Sequence, residues 1–588
     1  MSLPSLSSLF QESKIAKGDQ LTHWLKEWRV SLENGSEEHF PTFVAREMGI
    51  SEEVFSEKLA SAIGWPVVNL RDMDIPVGAM EKVSTKVAFQ YNVFPFDLKD
   101  GVLHLAVCNP FDPEMFNAVQ FSAGIPIKLF LTPASEIEKT LKKYYGVGAE
   151  TLDELATDEP LDLDLEFDKE ITDDDQEASV IKFVNQIIWE AFKDRATDIH
   201  FEPSEDELRI RYRIDGILNQ TPMPPHLKHF QDALISRIKV MSGMNISEKR
   251  LPQDGRINVR IKGQELDIRV STVPTVYGES VSLRLLTRGN IFMTLDKLGF
   301  SKRDEDALRE LIVKPHGIIL VTGPTGAGKS TSLYAFLSTI NSVSKRIITI
   351  EEPVEYELKG INQIAVHSDI GLTFAKGLRH ILRQDPNIVM VGECRDQETA
   401  EIAIRASLTG HLVFTTLHTN DAPSAFTRLV DMGIEPFLVA SSVEAVLAQR
   451  LVRTICKSCK VEQHVDRKFL LKVGFPEDEI ATTTFYHGVG CEECRQNGYS
   501  GRQGIYELMV VDEEIRSLVM DGAPSTIIAQ KALAQGMKNL RRDGWNKVQQ
   551  GITTIEEVIR VTQTDHGSGD GETNFNESEK TIFLTKEQ

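Results

Sequence analysis

Ile318-Ile-Leu-Val-Thr-Gly-Pro-Thr-Gly-Ala-Gly-Lys-Ser-Thr331 is the stretch that decides the fold. Its first five residues are apolar or β-branched, as in a strand buried on both faces. From Gly323 to Ser330 it matches G-x-x-x-x-G-K-[ST]. Residues 332–340 then read as a helix. Strand, glycine loop and helix in that order make a cradle for phosphate. Glycines let the loop wrap closely, so backbone N–H groups point at phosphate oxygens. The helix N-terminus adds partial positive charge. The binding residues are Gly323, Pro324, Thr325, Gly326, Ala327, Gly328, Lys329, Ser330 and Thr331. Lys329 is suited to neutralise the β- and γ-phosphates, and the Ser330 hydroxyl to hold Mg²⁺.

A carboxylate is needed beside the γ-phosphate. Asn387-Ile-Val-Met-Val-Gly-Glu393 is an apolar strand ending in an acid, where a parallel sheet places its ligand site. Glu393 is therefore the candidate to orient and activate the attacking water. Gly392 precedes it where an aspartate commonly stands, so Mg²⁺ would rely on Ser330, phosphate oxygens and water.

The 588 residues are 41% hydrophobic and 26% charged, which fits several globular domains and excludes a disordered chain, a collagen or a small disulfide scaffold. The net charge of −22 argues against binding nucleic acid through its phosphates. No run of about 18 apolar residues exists, and the first residues lack a secretory-signal pattern. The expected compartment is the cytoplasm, without a transmembrane segment.

Composition divides the chain. Residues 1–48 are a polar extension, and 49–148 a small α/β domain with a helix through Phe55, Leu59 and Ile63 and a strand from Val102 to Val107. Residues 149–178 form a linker. Between Glu150 and Glu177 it holds 14 acidic residues and one basic, a net charge of −13. Such a run extends by self-repulsion, or docks a basic partner. Residues 179–287 form a second α/β domain, with Ser179 as a helix N-cap and alternating strands at 208–214, 257–261 and 266–270. Residues 288–455 alternate strands and helices, the pattern of a mostly parallel sheet. Residues 501–563 read as helical and 564–588 as a disordered tail.

Cys456-Lys-Ser-Cys459 and Cys491-Glu-Glu-Cys494 are two C-x-x-C knuckles separated by 31 residues. Four such thiolates suit a closed, structural Zn²⁺ site, which would fold a polar segment of 456–500. A redox pair is the competing reading. Cys108 and Cys394 lack partners and read as packing residues.

Taken together, the phosphate loop, Gly392-Glu393, Thr349-Ile-Glu-Glu-Pro-Val-Glu355 and the segment from Thr409-Gly-His411 to His418-Thr-Asn-Asp421 resemble the secretion ATPase superfamily, the type II secretion and type IV pilus assembly motors. The resemblance covers roughly 179–563 and the layout of the N-terminal region. It implies a RecA-like P-loop core, a preceding PAS-like domain, a zinc-binding insertion and a small N-terminal α/β domain that docks on an inner-membrane platform. It implies an acidic box (Glu351, Glu352, Glu355), with Glu352 where aspartate is common, and a histidine box containing His411 and His418. It also implies phosphate-sensing arginines: Arg379 and Arg383, four apart on one helix face, and Arg269 and Arg284 in the second domain.

The cysteine module resembles assembly rather than retraction motors. Ala406-Ser-Leu-Thr-Gly-His411 and Gly360-Ile-Asn-Gln-Ile-Ala-Val-His367 are closer to the type II secretion branch. The implied activity is ATP hydrolysis by a homo-hexamer that drives pseudopilus assembly, with type IV pilus extension as the alternative. The Arg-Leu-Gly-rich repeat of cyclic-dinucleotide-binding relatives is not seen, so no such ligand is expected. A nucleic-acid-remodelling ATPase, prompted by Arg209, Arg211 and Arg213 on one strand face, and a nucleotide-gated scaffold are the other classes.

Overall fold

A computed structural model describes residues 18–33, 39–71, 73–110, 112–146, 176–224, 227–261, 264–287, 294–491 and 493–562. The expected acidic linker and C-terminal tail lie almost wholly outside the described residues. The chain divides into two units, 1–289 and 290–588. Among the described residues, no helix is long and apolar enough to cross a membrane.

The first unit begins with a three-stranded sheet, β1 (Val93–Lys99), β2 (Val102–Val107) and β3 (Ile127–Leu131), with β1–β2 antiparallel and β2–β3 parallel. Its core extends further toward the N-terminus than residue 49. The helix Phe40–Glu47 buries Phe40, Phe43, Val44 and Ala45, and Trp24, Leu25 and Trp28 of the helix Gly18–Glu33 pack on the same cluster. A polar average over 1–48 hid two amphipathic helices.

The same unit continues with the helix Gln176–Lys193 and the strands β4 (Ala196–Pro203), β5 (Leu208–Ile214), β6 (Ile217–Gln220), β7 (Gln253–Ile261), β8 (Gln264–Thr275) and β9 (Gly278–Thr287). They form one antiparallel sheet in the order β6-β5-β4-β9-β8-β7. Ser179 falls inside the first turn of its helix rather than at the cap.

A buried ion pair fastens this domain. Lys239, on the helix Gln231–Met241, is 1% exposed, and its Nζ sits 2.6 and 2.8 Å from the carboxylate oxygens of Glu279 on β9. A buried pair has little net worth, but breaking it strands a charge. Lys239→Met is expected to destabilise the domain by about 3–5 kcal/mol. Lys239→Met with Glu279→Leu should recover most of that loss, read as urea unfolding by tryptophan fluorescence.

The second unit is built on β10 (Gly317–Thr322), β11 (Ile347–Glu351), β12 (Asn362–Ala365), β13 (Ile388–Val391), β14 (Leu412–Leu417) and β15 (Val443–Ile455), followed by β16 (Lys460–Gln463), β17 (Phe485–Gly488) and β18 (Tyr499–Val510). The main sheet runs β12-β11-β13-β14-β10-β15-β18, parallel except for β18. Every residue of β10, β11, β13 and β14 is buried, which is why these strands are continuous apolar runs with helices on both faces. This is the RecA-like α/β core.

The stretch expected to be helical from residue 501 instead opens as β18, paired along its length with β15. The cysteine module therefore sits at the tip of a long hairpin whose arms are strands of the main sheet. The module also has an apolar core of its own. Leu470, Val473, Phe475 and Phe485 pack with Trp545, Val548 and Val558 of the C-terminal helices, so metal is not the sole reason this segment folds.

Candidate active site and metal centre

The site gathers at the carboxyl ends of β10, β11, β13 and β14. After β10 the chain turns through Gly323 at φ 149°, Gly326 at 77° and Gly328 at 87°. A Cβ on Gly323 would lie 2.6 Å from the Gln449 carbonyl oxygen, so this position needs glycine for space as well as conformation. Gly328 sits at the N-cap of the helix Lys329–Ile340 without a side-chain cap, so the first-turn N–H groups stay available for an anion. Ser330 is exposed there.

Lys329 folds onto its own loop, donating to the carbonyl oxygens of Gly323 at 2.8 Å and Pro324 at 3.2 Å. Burial pushes its ammonium down to about 8, with Glu393 opposing the shift and Arg450 adding to it. A half-buried cation with only dipoles to hold is a site prepared for phosphate.

Glu393 follows β13. His418 Nε2 lies 2.9 Å from its Oε1, and Arg395 Nε lies 2.9 Å from its Oε2. The same guanidinium reaches Glu352 Oε2 through Nη1 at 3.0 Å. One arginine thus spans the acids that follow two neighbouring strands. Gly392 packs against β11, where a Cβ would meet Glu351 Cα and the Ile350 carbonyl oxygen at 3.3 Å.

The two histidines part company. His418 follows β14 and reaches Glu393. His411 precedes β14, and its Nδ1 sits 2.9 Å from the Ala406 carbonyl oxygen at the C-terminus of the helix Gln397–Leu408. A six-residue strand separates them by about 20 Å, so His411 caps a helix at the opposite edge of the sheet. The acidic box divides as well: Glu351 is 4% exposed and bonded to neutral groups, whereas Glu352 faces Arg395.

The α-helix predicted to carry both Arg379 and Arg383 ends between them. The α-helix Phe374–Ile381 gives way to a 3₁₀ turn at Leu382–Gln384, and Asp385 turns left-handed at φ 52°. Arg379 pairs with Glu398, both exposed, while Arg383 is exposed on the turn. In the first unit, β-sheet register puts Arg213, Asp198, Arg284, Arg269 and Arg256 in one row across five strands. Arg284 Nε is 3.0 Å from Asp198 Oδ1. Four cations against one carboxylate leave that row electropositive.

Three site residues escaped the sequence reading. Gln449, 2% exposed, donates to the Ala327 carbonyl oxygen at 2.8 Å and accepts from Ser332 Oγ at 2.8 Å, bracing the phosphate loop from β15. Arg450 donates to Asn420 beside the histidine segment. Their signal is a polar pair interrupting an apolar strand. Arg395 was visible only as a neighbour of Glu393.

A family model described as type II/IV secretion system protein matches residues 173–560. The chain belongs to that family. It is a P-loop ATPase of that family, and a second model, the MshEN domain, matches residues 63–151. The chain is 42% identical over 533 residues to the type IV pilus assembly ATPase PilB of Myxococcus xanthus, covering 89% of this chain and 94% of that protein. It is 46% identical over 472 residues to the type II secretion system protein E of Aeromonas hydrophila, covering 78% and 93%. Its identity to the protein E of Pseudomonas aeruginosa is 50% over 397 residues, covering 68% and 78%.

In this secretion ATPase, the ligand sulfurs of Cys456, Cys459, Cys491 and Cys494 all lie within 4.8 Å of one another. The pairs 456–491, 459–494 and 491–494 are each 3.7 Å apart. Four thiolates about 2.3 Å from one tetrahedral ion stand about 3.8 Å from each other, and a disulfide would need about 2.05 Å. The set therefore fits a metal rather than a redox pair. Burial opposes a Cys494 thiolate, but the N–H groups of Cys491 and Gly498, with the neighbouring thiols, outweigh it and hold the thiol at about 7. Cys394, by contrast, is pushed up to about 11 by burial and is a packing residue.

Proposed function

We propose that this secretion ATPase is a cytoplasmic homo-hexameric motor that hydrolyses ATP to assemble a pseudopilus fibre in type II secretion. It would work at the inner membrane through platform proteins, without direct contact to nucleic acid. The observation that carries the reading is Glu393, held between His418 and Arg395 on the sheet edge that also presents Lys329.

Loop N–H groups would hold the phosphates, and Lys329 would exchange the Gly323 and Pro324 carbonyls for β- and γ-phosphate oxygens. Ser330 would hold Mg²⁺, which supplies charge neutralisation when bound. Glu393 accepts a proton from the attacking water. His418 keeps that carboxylate in place and is positioned to register the lost γ-phosphate. Glu352 adds a second carboxylate, and Arg269, Arg284, Arg379 and Arg383 offer positive charge to the phosphates. The electropositive row through Arg284 and Arg269 supports the role of those two. Cys456, Cys459, Cys491 and Cys494 would hold a structural Zn²⁺.

Extension of a type IV pilus is the second reading. The Myxococcus relative supports it, a match that covers 89% of this chain.

The test is steady-state ATP turnover against protein concentration. Specific activity should rise with concentration as subunits meet, and added DNA should not change it. Specific activity flat across dilution to nanomolar protein, with only monomer seen by light scattering, would exclude a ring. Zero turnover with tight ATP binding would leave a nucleotide-gated scaffold.

A further inference from the structure

Tyr334 is not part of the motifs above, yet it joins two of them. It lies on the helix Lys329–Ile340 and is 5% exposed. Its hydroxyl donates to Glu351 Oε2 and accepts the Glu355 backbone N–H at 3.2 Å. One oxygen therefore grips both sides of the acidic turn that carries Glu352. Glu351 is otherwise held by Thr349 Oγ1 at 2.5 Å and Gln363 Nε2 at 3.1 Å. Gln363 also donates to the Tyr356 carbonyl oxygen at 3.0 Å, and the Tyr356 ring stands edge-on to Tyr334 with centroids 5.5 Å apart. Among the described residues no cation pairs with Glu351. Its burial raises its carboxyl above the usual range, as expected for an anchor rather than an exposed acid.

We propose that Tyr334 is a positioning residue for ATP hydrolysis: it pins the acidic turn to the phosphate-loop helix and so sets where Glu352, and through Arg395 Glu393, stand relative to Lys329. The covalent and hydrogen-bonded path is continuous. The Tyr334 hydroxyl fixes Glu351, the next residue Glu352 meets Arg395 Nη1, and Arg395 Nε meets Glu393. Removing only the oxygen takes one hydrogen bond from the buried Glu351 carboxylate and one from the Glu355 backbone N–H, so the turn must shift. A displacement of about 1 Å at a catalytic group can cost up to about 10²-fold in rate.

The inference rests on Glu393 being the water-activating group. The experiment is kinetic, on the full chain, with Tyr334→Phe, Arg395→Gln and the double variant, and with fluorescent-ATP affinity measured alongside. Tyr334→Phe should lower kcat about tenfold with KM and nucleotide affinity within about twofold, the pattern of lost transition-state alignment. In the Arg395→Gln background the same change should cost less than about twofold, because the path is already cut. A merely structural role would instead give equal losses in both backgrounds. Wild-type kcat in Tyr334→Phe, or additive losses, would overturn the proposal. Should that variant not fold, Gln363→Met loosens the same turn from its half-exposed side and must show the same split. Failure of the Glu393 reading would appear separately, as full activity of Glu393→Gln.

Discussion

Glu393→Gln is expected to cut ATP turnover by at least about 10²-fold while leaving ATP affinity within about twofold. The substitution keeps size and removes basicity, so its interpretation depends on whether the neighbours stay in place. Arg395 can only donate, so the new amide must turn its oxygen toward Nε. That turns the NH₂ toward His418 Nε2. A neutral imidazole can accept there by placing its proton on Nδ1. Both contacts therefore survive in one consistent arrangement, and the phosphate loop, which binds through Lys329 and backbone N–H groups, is untouched. What is lost is a group able to take a proton from water. Single-turnover hydrolysis beside a fluorescent-nucleotide titration separates these effects. A variant retaining a third or more of wild-type turnover would show that Glu393 is not the base, and Glu352, bound to the same arginine, would be next to test.

How much of this could be read from the sequence depended on how local each cause is. The phosphate loop was legible because strand, glycines and helix are contiguous, and each has a backbone reason to be where it is. Buried parallel strands such as Ile388–Val391 were legible because both faces are covered and the run is uniformly apolar. β18 was missed because Ser500-Gly-Arg-Gln-Gly504 has no strand pattern; its extended form comes from pairing with β15, a partner about fifty residues away. Arg383 was placed on a helix that Asp385 and Pro386 bring to an end. His411 and His418 belong to one sequence motif, yet a strand between them sends one to each edge of the sheet. Tyr334 had no signal at all and Arg395 only its place beside Glu393, since bridging two acids or gripping a turn is a property of tertiary neighbours.

The other large effect concerns the knuckles. The purified chain is expected to carry one Zn²⁺, and Cys459→Ser to lose it. Structural zinc in small domains contributes on the order of 10 kcal/mol, because unfolded cysteines do not hold a preformed site. Here the loss should be local. The half of the module built on Leu470, Phe475 and Phe485 packs against Trp545 without help from metal. The half without such a core is the pair of knuckles, which has the short ribbon of β16 and β17 and is closed at its base by the Cys456 N–H to the Gly498 carbonyl oxygen at 2.9 Å. Limited proteolysis of Cys459→Ser should therefore cut around 456–463 and 486–498 and spare 465–485. The consequence for turnover follows from the topology. The knuckles join the ends of β15 and β18, and β15 also carries Gln449, which braces the phosphate loop from six residues before its end. Fraying that reached residue 449 would loosen the loop, whereas β15 is held on its way there by Glu557, whose carboxylate accepts from the Arg453 backbone N–H at 3.1 Å and side chain at 2.6 Å. Turnover should accordingly fall less than about tenfold in Cys459→Ser, and to near zero only when Glu557→Gln is added to remove that stop. Metal analysis, thiol titration and proteolysis decide it. A metal-free wild-type chain with four fast-reacting thiols and an uncut module would remove zinc from the account, and cutting that starts within 465–485 would show that the apolar half depends on the metal after all.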